Sequence, residues 1–338
     1  MRRWELDAHT RDEILERGIL PLYFSGVAAT GDAPTLVLLG GPPGAGRSRA
    51  SSLLLAEHGP DLAIVNGDDL RAFHPRLVGA AMLPAQEDRE GLARATAGWV
   101  RGCIRYAREN RRSLVLEGAF QDPSVAVGTV ERFAAAGYKT RVVVMASRRA
   151  ESLLSVTSLY LRNVHAGTSA RFTTREAHDR GFAAVRTLVT AVENAASVDI
   201  LTVLARDGVA VFNAHRADST DAFRGASTAL AAAQSARMSR FDATQWLSEL
   251  HHVTDFAASR PDLPREVTES LVDLHETALR DVIPELYVPA DGRFATAIEQ
   301  KTVASLVALR RWAQRDHSMD ADAPELLPGG PERGGVSR

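Results

Sequence analysis

The sequence predicts an α/β fold, in which a parallel β-sheet is covered by helices and followed by an all-helical C-terminal extension. Four short apolar runs, each followed by helical spacing, are typical of buried parallel strands. A fifth run returns as a hairpin, and residues 216–318 show helical spacing without a convincing strand. We therefore predict an N-terminal helical lead-in over residues 1–34, a sheet domain over 35–213, the helical extension over 216–318 and a disordered tail over 319–338.

Composition limits the classes of protein to consider. The chain has 338 residues, of which 45% are hydrophobic and 24% charged, so it can bury the core of one large domain or two. The net charge of -2 and the absence of a basic run do not favour a nucleic-acid partner. Cys103 is the single cysteine, which excludes an internal disulfide and a cysteine-rich metal cluster. With no signal-peptide core and no apolar run of membrane-spanning length, we predict a cytoplasmic protein without a membrane partner.

The individual elements follow from apolar runs and from the residues that interrupt them. The predicted strands are Thr35–Leu39, Leu62–Val65, Ser113–Leu116, Thr140–Met145 and the hairpin pair Ile200–Leu204 and Val209–Phe212. The helices predicted between them are Arg49–Glu57, Gln86–Asn110, Val125–Ala135, Ser147–Val164 and one from a capping box at Thr173–Glu176 to Ala195. The extension should contain helices at Ala226–Ala236, Phe241–Ala258, Glu266–Val282 and Thr296–His317. Because right-handed crossovers bring the ends of parallel strands to one edge, residues that follow the strands should meet there.

The loop after the first strand has the features of a phosphate-binding P-loop. The pattern G-x-x-x-x-G-K-S/T is met at Gly41, Gly46 and Ser48, whereas Arg47 stands where lysine is expected. Glycines let backbone N–H groups converge on phosphate oxygens, and the start of a helix favours negative charge. We predict that ATP or GTP binds with Mg²⁺, which Ser48 would coordinate. The predicted nucleotide-binding residues are Gly41, Pro42, Pro43, Gly44, Ala45, Gly46, Arg47 and Ser48. Two alternatives remain: a turn that only connects strand to helix, and a P-loop that performs no chemistry.

Two acidic positions follow the second and third strands. Asp68 could take a proton from a substrate hydroxyl, or it could simply cap a helix, and the sequence does not decide between Asp68 and the adjacent Asp69. Glu117 could hold the Mg²⁺ shell or a substrate hydroxyl, or merely follow a core strand. Phosphoryl transfer also needs cations over the departing charge, and these often lie on a mobile lid. Residues 148–175 contain several arginines, of which physical reasoning alone selects none: Arg148, Arg149, Arg162, Arg171 and Arg175.

Taken together, these motifs resemble the zeta-toxin family, the toxic kinases of bacterial toxin–antitoxin pairs. The resemblance covers about residues 10–213 and rests on the order and spacing of several segments. These are Ile19–Pro21, Gly40–Ser48, Ile64–Pro75, Leu114–Gly118, Ala135–Ala146, Ser169–Asp179 and the hairpin that ends near Phe212. The resemblance implies a P-loop kinase-like fold over residues 35–213.

The resemblance also implies an activity and a set of site residues. Family members phosphorylate a sugar hydroxyl of UDP-N-acetylglucosamine with a nucleoside triphosphate and Mg²⁺, and a separate antitoxin protein is the implied partner. By position, the base falls on Asp68, the strand-end glutamate on Glu117, the second lid arginine on Arg171 and the P-loop lysine on Arg47. The predicted catalytic residues are Asp68, Arg47, Arg171 and Arg162. The predicted substrate contacts are Asp69, Arg71, His74, Glu117 and Ala119. The predicted metal ligands are Ser48 and Glu117.

Three departures from the family pattern fall on the predicted phosphate and substrate contacts. Arg47 replaces the lysine, Leu159 stands where the first lid arginine would precede Tyr160, and the run from Ala119 to Gln121 lacks the family's threonine and arginine. Arg162 lies one helical turn after Leu159, so we predict that it reaches the phosphates instead. The leading prediction is a nucleotide-sugar kinase. The alternatives are a kinase of the same fold with a different small hydroxyl substrate, and a weak or inactive nucleotide-binding protein whose helical extension acts as a brake or a partner platform.

Overall fold

The structure, a computed structural model, describes residues 4–26, 33–77, 86–168, 172–286 and 292–321. A six-stranded sheet forms its centre, with the order β2-β3-β1-β4-β5-β6. Its strands are β1 Thr35–Gly40, β2 Leu62–Asn66, β3 Ser113–Gly118, β4 Lys139–Ala146, β5 Ile200–Ala205 and β6 Ala210–His215. Strands β1 to β5 are parallel, and β6 pairs antiparallel with β5 as the predicted hairpin. The predicted α/β fold class is confirmed.

The helices cover both faces of the sheet and continue beyond it. They are α1 Ala8–Ile14, α2 Leu20–Phe24, α3 Arg47–His58, α4 Gly67–Leu70, α5 Gln86–Glu109, α6 Pro123–Ala135, α7 Arg149–His165, α8 Arg175–Glu193, α9 Ala226–Ser235, α10 Arg240–Ala258, α11 Arg265–Thr277 and α12 Arg293–Ala321. Short π-helical turns join α1 to α2 and extend α11. The disordered tail is predicted over residues 319–338. Residues 319–321 belong to α12, and residues 322–338 lie outside the described residues, as does the turn predicted at Gly31 and Asp32. Within the described ranges, no helix is both long and apolar enough to cross a membrane.

Strand β1 lies inside the sheet and is buried on both of its faces. Leu36, Val37, Leu38 and Leu39 of β1 are buried because helices cover both faces, as an uninterrupted apolar run requires. Strand β1 pairs with β3 on one side and β4 on the other, in a register that places Gly40 opposite Gly118. The P-loop, which follows Gly40, therefore begins at the same edge where β3 ends.

Helix α7 connects the sheet to the helical extension. Its residues Ala150, Leu153, Leu154 and Leu161 share one buried core with the extension. The extension's members of that core are Met238, which precedes α10, and residues of α10, α11, the turns after α11, and α12. An amphipathic helix is stabilised mainly by burying its apolar face. The extension therefore buries the face of α7 that points away from the P-loop.

Candidate functional site

The P-loop begins with a tight turn that its sequence dictates. The N–H of Ala45 donates to the carbonyl of Pro42 at 3.2 Å, and Gly44 has φ of 78°. Proline at the second position and glycine at the third are the residues that a type II turn requires. A side chain at Gly44 would collide with the backbone carbonyl of Ser152 on α7, so only glycine fits this close approach.

The start of helix α3 is arranged to receive an anion. Gly46 caps α3 with φ of 94°, and no side chain accepts a hydrogen bond from the helix start. The first turn of a helix of this length presents free N–H groups and the positive end of its dipole. Ser48 lies exposed on that turn. Arg47 Nη1 donates to the Gly41 carbonyl at 3.2 Å, so its guanidinium lies against the backbone of the P-loop.

The two adjacent carboxylates occupy different environments. Asn66 caps α4 by accepting the N–H of Asp68 at 2.9 Å, so the alternative that Asp68 is the cap is wrong. The exposed Asp68 carboxylate pairs with Arg71 Nη1 at 2.9 Å. Burial raises the pKa of Asp69, the charge of Asp68 raises it further, and Arg47 opposes that shift. Both residues are exposed to solvent; Asp69 is the one close enough to Arg47 to feel its charge, whereas Asp68 pairs with Arg71.

Glu117 joins the P-loop helix to the acidic turn. One carboxylate oxygen accepts the hydroxyl of Ser51 on α3, and the other accepts the side-chain amide of Asn66 at 3.3 Å. The parallel register of β2 and β3 places Asn66 directly opposite Glu117. Because Asn66 also holds the N–H of Asp68, Glu117 supports the position of the acidic turn from beneath.

Some predicted site residues are not brought to the open edge. His74 is fully buried, stacks on Trp4 with ring centroids 5.1 Å apart, and its burial lowers its pKa. Its Nε2 lies 3.3 Å from the Trp4 carbonyl, so it holds the N-terminal lead-in against the segment that follows α4. Arg162 has a side chain that is 67% exposed and pairs with Glu249 of the extension at 2.5 Å. Arg171 lies outside the described residues.

Two apolar, half-buried residues follow β3 on the side that is predicted to face the substrate. Ala119 follows β3, and Phe120 adopts a φ of 44°, which is uncommon for a residue with a side chain. A Cβ built on Gly181 of α8 would lie 3.8 Å from the Ala119 methyl group and 3.0 Å from the Pro43 ring. Ala119 is thus close to the P-loop, beside α8.

Arg206 is a residue of this region that the sequence reasoning missed. It directly follows β5, and its guanidinium donates to the Gly44 carbonyl at 2.8 Å and to the Ser155 hydroxyl at 2.5 Å. The rule that selected Asp68 and Glu117, a polar residue just past a parallel strand, applies equally to Arg206. Arg206 is not part of any motif identified in the sequence.

A partly buried polar network joins α7 to α8 near the P-loop. The Ser152 hydroxyl lies 2.8 Å from His178 Nε2, and His178 Nδ1 lies 3.0 Å from Asp179. Arg149 binds Asp179 through two hydrogen bonds and also pairs with Asp273 of the extension at 2.8 Å. Ser152 and His178 are fully buried, and burial lowers the pKa of His178, so this serine–histidine–aspartate set holds structure and offers no open nucleophile.

A parallel sheet with a P-loop after its central strand, and acidic residues after β2 and at the end of β3, defines a P-loop kinase-like protein. The family model described as zeta toxin matches residues 25–217, which is more than half of the chain. The chain therefore belongs to the zeta toxin family.

Comparisons with individual proteins agree with this family. The chain is 27% identical to Toxin zeta of Enterococcus hirae over 164 residues, which are 48% of this chain and 56% of that protein. It is 25% identical to Toxin PezT of Streptococcus pneumoniae over 150 residues, 43% of this chain and 58% of that protein. The matches thus span little more than half the length of these curated relatives. A solved structure from the PezAT chromosomal toxin–antitoxin system of Streptococcus pneumoniae has a TM-score of 0.64 at 17% identity, covers 75% of this chain and 100% of its own, and shows the shared fold.

Proposed function

We propose that the protein is a kinase that transfers the γ-phosphoryl group of ATP or GTP to a sugar hydroxyl of a nucleotide sugar. UDP-N-acetylglucosamine is the acceptor that the family resemblance favours. The observation that carries the proposal is the shared sheet edge, where the start of α3, which no side chain caps, and the Asp68–Asp69 turn lie on either side of Glu117. A phosphate site and an acceptor-side carboxylate are the two parts that this reaction requires.

Nucleotide binding would use the start of α3 together with Arg47. The free N–H groups of the helix start suit the phosphate oxygens. Arg47 would release the neutral Gly41 carbonyl and bind an ionised phosphate, where both donor and acceptor are charged and two parallel hydrogen bonds can form. The observed position of Arg47 is therefore compatible with nucleotide binding.

The residues at this edge fit a magnesium ion. Ser48 offers an exposed hydroxyl and Glu117 a carboxylate, and both are the oxygen ligands that Mg²⁺ prefers. The raised pKa of Asp69 reflects burial and repulsion from Asp68, a cost that a nearby divalent cation would relieve. The ion usually takes one or two protein ligands and completes its shell with phosphates and water. When bound, it would neutralise charge on the β- and γ-phosphates.

Asp68 is the proposed base. Its carboxylate is exposed on the acidic turn and held by Arg71 at 2.9 Å, so an acceptor hydroxyl can approach it. In the proposed step the acceptor oxygen bonds to the γ-phosphorus and the bond to the β-phosphate oxygen breaks. The hydroxyl proton passes to Asp68, and the nucleoside diphosphate leaves. Asp69 and Arg71 would contact the acceptor.

Specific observations favour two other readings. The apolar Ala119 and Phe120 beside the P-loop would suit a kinase with a different, less polar hydroxyl substrate. A weak or inactive nucleotide-binding protein is favoured by Arg162, which pairs with Glu249, and by Leu159, which offers no charge at its position.

For all three hypotheses we propose a separate antitoxin as the protein partner. Similar curated proteins are named toxins, and the similar solved structure comes from a toxin–antitoxin system.

The test is a product search. The protein is incubated with ATP or GTP, Mg²⁺ and a panel of nucleotide sugars, and the masses of the products are measured. We expect phosphorylated UDP-N-acetylglucosamine from the wild type and from the control Asp12→Asn, which changes an exposed carboxylate on α1, but not from Asp68→Asn. A phosphorylated product from another hydroxyl compound alone would support the second kinase reading. ATP binding with no product from any acceptor would contradict the kinase proposal.

A further inference from the structure

Arg206 bridges the P-loop and helix α7. Its Nη1 donates to the Gly44 carbonyl at 2.8 Å, and its Nη2 donates to the Ser155 hydroxyl at 2.5 Å. Both acceptors are neutral, so the guanidinium charge is not cancelled by these partners. Its half-buried position at the end of β5 places this charge at the edge of the sheet where the nucleotide is proposed to bind.

The contact with Ser155 places Arg206 beside the position of Leu159. Ser155 and Leu159 lie four residues apart on α7, so they occupy the same helix face. Side chains on a helix lean towards its N-terminus, and a long side chain at position 159 would therefore extend over Ser155. Leu159 itself is 59% exposed and carries no charge. The guanidinium of Arg206 thus occupies the place that a cation at position 159 would reach.

The stem of Arg206 is already beside the proposed phosphate site. A Cβ built on Gly46, the residue that caps α3, would lie 3.9 Å from Cγ of Arg206. Rotation about the outer side-chain bonds would move the guanidinium from the Gly44 carbonyl to an anion at the start of α3, with the backbone unchanged. A guanidinium can bind a phosphate through two parallel hydrogen bonds, which makes this exchange favourable.

Other arginines on or next to α7 are committed to carboxylates. Arg148 forms two hydrogen bonds to Glu285, and Arg149 binds Asp179 and Asp273. These ion pairs are partly buried, so releasing either arginine would leave an uncompensated carboxylate. Releasing Arg206 leaves only a backbone carbonyl and a hydroxyl, which water can satisfy at this edge.

We propose that Arg206 supplies the phosphate-binding cation that position 159 lacks, by contacting the β- or γ-phosphate of the bound nucleotide. This rests on the proposed function for the nucleotide, but it does not depend on which acceptor is phosphorylated. In the reaction Arg206 would offset negative charge on the transferred group, and it gains or loses no proton.

The test compares the binding of ATP and AMP, each with Mg²⁺, by calorimetry of the full chain. We expect Arg206→Ala to weaken ATP binding about 10- to 100-fold and to change AMP binding less than about threefold, since AMP lacks both outer phosphates. Arg206→Lys should retain most of the ATP affinity because it keeps the charge. The control Arg186→Ala removes an equal charge on α8, where Arg186 donates to Gln234, and should match the wild type.

A rescue experiment separates phosphate binding from bracing of the loop. Adding Leu159→Arg to the Arg206→Ala variant should restore most of the lost ATP affinity, because the new cation would reach the same place from α7. Equal losses for ATP and AMP, an Arg206→Lys variant as weak as Arg206→Ala, or no rescue by Leu159→Arg would overturn the proposal. If no acceptor is phosphorylated, the ATP and AMP affinities still decide the role of Arg206. If the wild type phosphorylates and Arg206→Ala binds ATP normally, this inference alone fails.

Discussion

Replacing Glu285 with alanine is expected to destabilise the fold by detaching the start of α7 from the extension. Glu285 accepts two hydrogen bonds from Arg148, at 2.6 and 3.1 Å, and a third from the backbone N–H of Met238 at 3.0 Å. The side chains of Arg148 and Glu285 are only 14% and 10% exposed, respectively. The substitution would therefore leave a guanidinium and an N–H group without their partner in a poorly hydrated place.

The expected magnitude follows from this burial. Removing one partner of a buried ion pair typically costs about 3–5 kcal/mol, because the remaining charge is uncompensated. We expect a loss in that range for the free energy of unfolding of Glu285→Ala. Glu13→Ala is the matched control, because Glu13 pairs with Arg17 at 2.7 Å but the two side chains are 46% and 80% exposed. An exposed pair of this kind contributes about 0.2–1 kcal/mol.

The assay is denaturant unfolding of the full chain at neutral pH, read from the midpoint and slope of the transition. A loss of less than about 1 kcal/mol for Glu285→Ala, equal to that of the control, would show that this buried pair does not hold α7 in place. ATP affinity provides a second readout. Ser152 of α7 contacts the P-loop at Gly44, so a displaced α7 should also weaken nucleotide binding.

Three further changes test the site. Arg47→Lys should raise the turnover number in steady-state assays, because a compact ammonium passes beneath the phosphates more easily than a planar guanidinium. A lower turnover number would contradict this. Gly44→Ala should cost at least about 2 kcal/mol in unfolding free energy, because φ is 78° and the new methyl group would meet the Ser152 carbonyl; a wild-type midpoint would contradict this. Asp69→Asn should raise the melting temperature at neutral pH. The raised folded-state pKa of Asp69 means that its ionised form destabilises the fold above that pKa, and this cost disappears as pH falls. The gain should therefore shrink in acid, and a gain that is constant with pH would show another cause.

The sheet was predictable because its strands are coded locally. The run from Leu36 to Leu39 is apolar throughout, and the glycines and prolines after it leave few conformations other than a turn. Each predicted strand is present within a few residues of its predicted bounds. The order of the strands, with β3 between β1 and β2, depends on contacts between distant segments and had no local signal.

The site was less predictable because its geometry depends on contacts distant in sequence. His74 has the appearance of a site residue, but Trp4, from the far end of the lead-in, covers it. Arg162 lies on the face of α7 expected for a lid cation, yet Glu249, 87 residues later, binds it. Asn66 caps the acidic turn because β3 places Glu117 beside it, and no spacing rule indicates that pairing.

Phosphorus NMR of the wild-type protein with ATP, Mg²⁺ and UDP-N-acetylglucosamine shows whether the γ-phosphoryl group reaches the sugar. The proposal predicts that the γ-phosphate signal is replaced by a phosphate monoester on the sugar. Asp68→Asn should abolish this signal, whereas Asp12→Asn should preserve it. An unchanged ATP spectrum, or conversion of ATP to ADP and inorganic phosphate alone, would contradict the assignment of this protein as a nucleotide-sugar kinase.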